Sequence, residues 1–149
     1  MWRCFFMQDD TIKLLKEVDS GCKMAIDSID RMEGFHMGPD MAHVTECYKQ
    51  KHQALQKEAT TMLHACGETG KMPDAMAAIM AKTTTQLKMM VREDNHQAAK
   101  ILMDGCNMGI QSVSEYINKY KAASKESISI AKSLITTEED FMCDLKRFL

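Results

Sequence analysis

The chain is short of the features that most sharply restrict what a protein does. Its charges nearly cancel, with 19 basic against 21 acidic residues and a formal charge of −2, and the two signs are interspersed. No basic stripe exists to track phosphates. Aromatic residues, at 6%, offer few platforms for stacked bases, so nucleic acid is not an expected partner. No apolar run is long enough to cross a bilayer, and the opening Met1 to Phe6 is too short for a signal peptide, so no membrane association is expected. Six cysteines, Cys4, Cys22, Cys47, Cys66, Cys106 and Cys143, are scattered with no Cys-x-x-Cys pair. Such scatter reads as reduced thiols in a cytoplasmic protein. Alternating apolar and polar runs are missing too, and with them any strand. The sequence offers no glycine-rich phosphate loop and no Ser/His/Asp or Cys/His relay at usable spacing.

What the sequence does have is helical periodicity. At 149 residues and 45% hydrophobic, it is one domain long enough to bury a core, and its fold class is all-α. Residues 1–10 read as a short leader, and Asp10 as the cap of a first helix over about 11–35 whose buried stripe is Ile12, Leu15, Val18, Cys22, Ile26 and Ile29. Gly34, Gly38 and Pro39 break that pattern. A second helix over about 40–66 buries Met41, Val44, Tyr48, Leu55, Ala59, Met62 and Cys66, and ends at Gly67 and Gly70. Pro73 suits the start of a short connecting helix to about residue 91, carrying Met76, Ile79, Met80, Leu87 and Met90. Asp94, with Gln97 three residues on, marks a third long helix over 95–121 that buries Leu102, Cys106, Val113, Ile117 and Tyr120. A fourth, over 124–148, carries Ala131, Leu134, Glu138, Phe141, Leu145 and Phe148 on one face. Fifteen methionines recur at helical spacing, which reads as a plastic core in preference to a soft-metal or docking surface.

Two long helices, a gap with its own short helix, then two more is the wiring of a four-helix bundle with a long crossover between helices two and three. Those two helices are then expected to run parallel, with the connecting helix outside the core. A rotation of about 100° per residue brings two polar side chains inward: Glu138 inside its helix's apolar stripe, and His52 near the edge of its own. Aligning helix midpoints sets Cys22, His52, Cys106 and Glu138 at one height. A carboxylate in that position must be protonated, paired or metal-bound. Two readings therefore stand side by side: a hydrogen-bonded Glu138 and His52 with inert core thiols, or a single-metal site from the four residues, which would suit zinc before iron.

Local features carry a family resemblance as well: Leu14-Leu15 with Gly21 in helix one, the stretch Leu55 to Gly67 closing helix two, and Asp104-Gly105-Cys106-Asn107 in helix three. With the helix order, they make residues 11 to 148 resemble the ferritin-like superfamily, and within it a small bacterial branch described as a domain of unknown function. The resemblance implies a ferritin-like four-helix bundle and, by analogy, ferroxidase or oxygenase chemistry. That chemistry needs a Glu from each of two helices and a Glu-x-x-His from each of the other two. The two Glu-x-x-His copies here, Glu33 to His36 and Glu93 to His96, sit at helix ends. Where relatives show Gly-Glu-Asp, this sequence has Gly105-Cys106-Asn107. The expected function is thus non-catalytic and through protein contacts, as a homodimer or larger homo-oligomer with no cofactor. The alternative is a protein that binds or oxidises iron, zinc or copper, with one zinc or iron ion at the midpoint.

Overall fold

Four long helices account for most of the computed structural model, which describes residues 2–69 and 94–149, with side chains from Met7 onward in the first stretch. They are α1 (Trp2–Arg31), α2 (Pro39–Ala65), α3 (Asn95–Lys119) and α4 (Lys125–Leu145), with 3-10 turns over Met32–Gly34 and Lys146–Phe148. No strand occurs among the described residues. The short helix expected over 73–91 lies outside them.

Local chemistry sets most helix ends. Proline occupies the first turn of α2, where its missing N–H costs nothing. At the other end of α2, Gly67 takes a φ of +76°, and its N–H and that of Glu68 donate to the carbonyls of His64 and Leu63, both at 2.9 Å. Two such bonds across a left-handed glycine are the Schellman way of satisfying the last carbonyls. The carboxylate of Asp94 accepts from the Gln97 N–H at 3.0 Å to open α3, and the Ser124 hydroxyl accepts from the Ser127 N–H at 3.2 Å to open α4.

The start of α1 departs from expectation. The helix begins at Trp2, so residues 2–10 are helical and Asp10 is not its cap. Nothing in Trp2 to Gln8 breaks a helix, there being neither glycine nor proline, and Asp10 instead accepts from the Ala122 N–H at 3.0 Å. Beside it, the Thr11 hydroxyl accepts from the Ser124 N–H at 2.8 Å, which ties α1 to the joint between α3 and α4.

These ties give the direction of each helix. Lys16 of α1 meets Glu68, just past α2, at 3.1 Å, and Asp30, near the end of α1, meets Lys49 in the first half of α2 at 2.6 Å, so α1 and α2 are antiparallel. The Gly38 N–H before α2 donates to Asn95 Oδ1 at the start of α3 at 3.0 Å, and His36 pairs with Asp94. The starts of α2 and α3 therefore lie together at one end, while Asp10 and Thr11 of α1 lie beside the end of α3 at the other. Consequently α2 and α3 run in the same direction, and Thr69 and Asp94 stand at opposite ends of the helices. Helix α1 packs on α2, α3 and α4, and α4 also packs on α2 and α3.

The core divides in two. One cluster gathers Leu14, Leu15, Val18, Cys22, Ala59, Leu63, Val113, Ala131 and Leu134; the other gathers Ile29, Met32, Met41, Tyr48, Leu102, Cys106, Phe141 and Leu145. On α2 it is Leu63 that is fully buried, whereas Met62 is only partly so and packs at the margin. Leu63→Ala is expected to cost roughly 2–5 kcal/mol in urea unfolding and Met62→Ala less than half as much. The reverse order would mean that the apolar face of α2 is rotated by about one residue.

Candidate functional site

Where the two apolar clusters meet, polar groups are buried. Glu138 lies on α4 between Leu134 of one cluster and Phe141 of the other, and is 5% exposed. His52, on α2 between Tyr48 and Leu55, is fully buried. Its Nε2 is 2.9 Å from Glu138 Oε1, and its Nδ1 is 2.6 Å from the carbonyl oxygen of Tyr48. A carbonyl can only accept, so Nδ1 carries a proton. Nε2 and Oε1 then share one further proton between them, written either as an imidazolium with a carboxylate or as a neutral imidazole with an acid. Either way the pair is neutral as a unit, which is what burial demands.

Tyr48 does more than supply that carbonyl. Its hydroxyl donates to Asp144 Oδ2 at 2.7 Å, and its ring stacks on Phe141 with centroids 4.4 Å apart. Tyr48 and His52 on α2 thus face Glu138, Phe141 and Asp144 on α4, each set at helical spacing. Three different interactions hold one register.

Both cysteines expected at this height are buried beside Glu138, Cys22 from α1 and Cys106 from α3. Burial pushes the Cys22 thiol far above its ordinary range, with the charges of Glu138 and Asp19 adding to the effect. Burial does the same to Cys106, and so do the charge of Glu138 and the thiol's hydrogen bond to it. These are protonated core thiols with weak donor character, not thiolates. Across from the carboxylate stands Gly109, where a Cβ would come within 3.5 Å of Glu138 Oε1.

The structure therefore pairs His52 with Glu138 and buries Cys22 and Cys106 where the charge of Glu138 reaches them. It does not gather the Glu-x-x-His copies. Glu33 is exposed and pairs with Lys49, His36 and His96 are exposed, and Glu93 lies outside the described residues. Among the described residues no three His, Cys, Asp or Glu side chains stand where they could hold one metal ion.

One buried acid escaped the sequence reading. Asp19 is fully buried; its Oδ2 meets Lys23 at 2.6 Å, while its Oδ1 and the Ser20 hydroxyl have no hydrogen-bond partner among the described residues. An Asp followed four residues on by Lys reads as a solvated helix face, so only tertiary packing could have disclosed it. Comparison with protein-family models, curated proteins and solved structures finds no match to this chain. The class the structure defines is all-α, with no described helix long and apolar enough to cross a membrane.

Two expectations follow from the layer. Glu138→Gln can still donate to a neutral His52 Nε2 and is expected to cost about 1 kcal/mol, whereas His52→Leu strands a buried carboxyl and should cost about 3–5 kcal/mol. Equally small losses in urea unfolding would mean that the pair is not buried. The second concerns pH. Folding holds the Cys22 and Cys106 thiols up, so the unfolded chain loses those protons first. The stability they carry is complete below the unfolded thiol value of about 8.5 and is lost as pH rises past it, by up to about 1.4 kcal/mol per pH unit for each thiol. Urea midpoints across that range should fall for the native chain and flatten in the Cys22→Ala, Cys106→Ala double variant. A native profile as flat as the variant's would refute the burial of the thiols.

Proposed function

We propose that this chain is a ferritin-like four-helix-bundle protein of the cytoplasm that works through protein contacts, as a homodimer or larger homo-oligomer, and not through a metal-oxidising centre. The observation that carries this reading is the closed hydrogen bonding at the midpoint. Both nitrogens of His52 are engaged, one by the Tyr48 carbonyl and one by Glu138, and Cys106 is a buried thiol held protonated by burial and by the charge of the same carboxylate. A diiron centre would require four carboxylates and two histidines to converge. Among the described residues one carboxylate and one histidine do, and they are partners of each other. The shared direction of α2 and α3 supports the ferritin-like part, because up-down-up-down bundles run neighbouring helices in alternation.

A contact surface is available at the end where α1 and α4 begin. A groove there is lined by Met7, Leu15, Met62, Ala65 and Cys66, and Met7 is 47% exposed. Methionine thioethers are flexible and polarizable and adapt to a second surface without a fixed shape. A second copy of the chain is the occupant we assign to it. Light scattering should give a mass of at least two chains at micromolar concentration, reduced to one chain by Met7→Glu with helix content unchanged. A monomeric native protein would overturn the assembly. Elemental analysis of protein purified without tag or chelator should find no stoichiometric diiron. Two irons per chain with rapid ferrous oxidation would return the protein to ferroxidase chemistry.

A further inference from the structure

Helices α1 and α3 do not close completely on one another, and a cavity of about 80 Å³ is left along their seam. Its wall takes residues from every turn of both helices, from Glu17 to Ser28 on α1 and from Leu102 to Tyr116 on α3. At a rise of about 1.5 Å per residue, the stretch on α1 alone is roughly 16 Å long. So small a volume drawn out so far is a narrow slot, not a round chamber. A Cβ on Gly21 would come within 3.2 Å of Leu134 Cδ2, so that glycine serves close packing, whereas one on Gly105, at the exposed edge of the slot, would meet nothing within 4 Å. Since a water needs some 10–15 Å³ of such space, there is room for roughly five to eight water-sized groups.

The two acids on the wall leave it no free charge. Glu138 forms its neutral pair with His52; burial pushes the Glu17 carboxyl up, toward its neutral form, and Tyr116 and Lys119 answer the charge it carries. Among the described residues no lysine, arginine or histidine lines the slot. What it presents is apolar surface, from Met24, Leu102, Met108, Val113, Leu134 and Phe141, with the neutral hydroxyls of Ser28 and Ser112. A charged ligand would lose its hydration there and meet no opposite charge in return, whereas a neutral one gains from each carbon it buries. Selection therefore falls to shape and to the absence of charge. Met24 and Met108, unbranched and polarizable, can fit themselves to a flexible guest.

We propose that this slot binds a neutral, unbranched aliphatic chain, laid lengthwise between α1 and α3. Hexan-1-ol has seven heavy atoms and falls within the room available; cyclohexanol has the same number, but its ring is too broad for a narrow slot. The inference rests on the shape and neutrality of the cavity, not on the protein-contact reading above, and the two can fail separately. Gly105 gives the means to test it. Because a Cβ there meets nothing, Gly105→Leu should fold, with better helix propensity than the glycine, while its branched side chain obstructs the slot. Gly105→Ala improves propensity in the same way and leaves most of the space free.

The experiment titrates the full chain with the linear alcohols from butan-1-ol to heptan-1-ol, and with cyclohexanol, hexanoate and hexylammonium, reading binding by calorimetry. Hexan-1-ol should bind one molecule per chain in the millimolar range or tighter, and affinity should rise about fourfold with each methylene of the series. Cyclohexanol and both ions should bind at least tenfold more weakly than hexan-1-ol. Gly105→Leu should lose at least tenfold in affinity for hexan-1-ol, and Gly105→Ala should stay within about threefold of the native chain. A native protein that ignores hexan-1-ol, or that takes cyclohexanol or either ion equally well, would overturn the proposal whether or not the leucine variant folds. So would a linear series with no dependence on length, or hexan-1-ol binding that survives Gly105→Leu.

Discussion

A carboxylate placed in an apolar core has to be neutralised, and Glu138 is met by a side chain 86 positions away in sequence, His52. The position of α2 on α4 depends on that meeting. A slip of one turn, about 5.4 Å, would leave a buried acid and a buried imidazole each without a partner, at several kcal/mol apiece. Apolar packing alone discriminates poorly between such registers, because one Leu or Met accepts another nearly as well. The pair supplies the discrimination that the aliphatic residues lack. Tyr48 reinforces it from the same helix face through its carbonyl, its ring and its hydroxyl.

The layer also explains why the core is split. Cys22 belongs to the cluster on one side of Glu138 and Cys106 to the cluster on the other. Each is a small buried side chain that the charge of the carboxylate reaches. Larger aliphatic residues there would crowd Glu138, and stronger donors would compete with His52 for its oxygens. Glycine at 109 continues the same economy of space on α3, where a Cβ would already touch the carboxyl group. The seam between α1 and α3 is open for the same reason that Glu138 fits: the residues around it are small.

Much of this was legible in the sequence, and the reasons separate cleanly. Asp94, Ser124 and Gly67 set helix ends through hydrogen bonds to backbone within a few residues, so their chemistry is local and can be read locally. Glu138 stood out because it interrupts an apolar stripe between Leu134 and Phe141, and periodicity assigns it to the core whatever it meets there. Its partner was legible only through bundle geometry, by matching helix heights. Asp19 was not legible, since pairing with Lys23 is the signature of an exposed face and the burial comes from other helices. The choice between Met62 and Leu63 was not legible either. Adjacent apolar residues lie about 100° apart, and the breadth of a core-facing stripe accommodates both until neighbouring helices are in place. The start of α1 failed for another reason: a capping residue inside a helix-compatible run has no power to end it.

Charge balance in the layer bears on what it can hold. Its acid and its base share a single mobile proton, and its two thiols are kept protonated by burial and by that same acid. A divalent cation entering at this height would have to expel the shared proton, break the bond from His52 to Glu138 and ionise at least one thiol whose surroundings oppose a negative charge. With Cys106 on α3 adding no second negative charge, the layer holds the one carboxylate of Glu138, and His52 meets it.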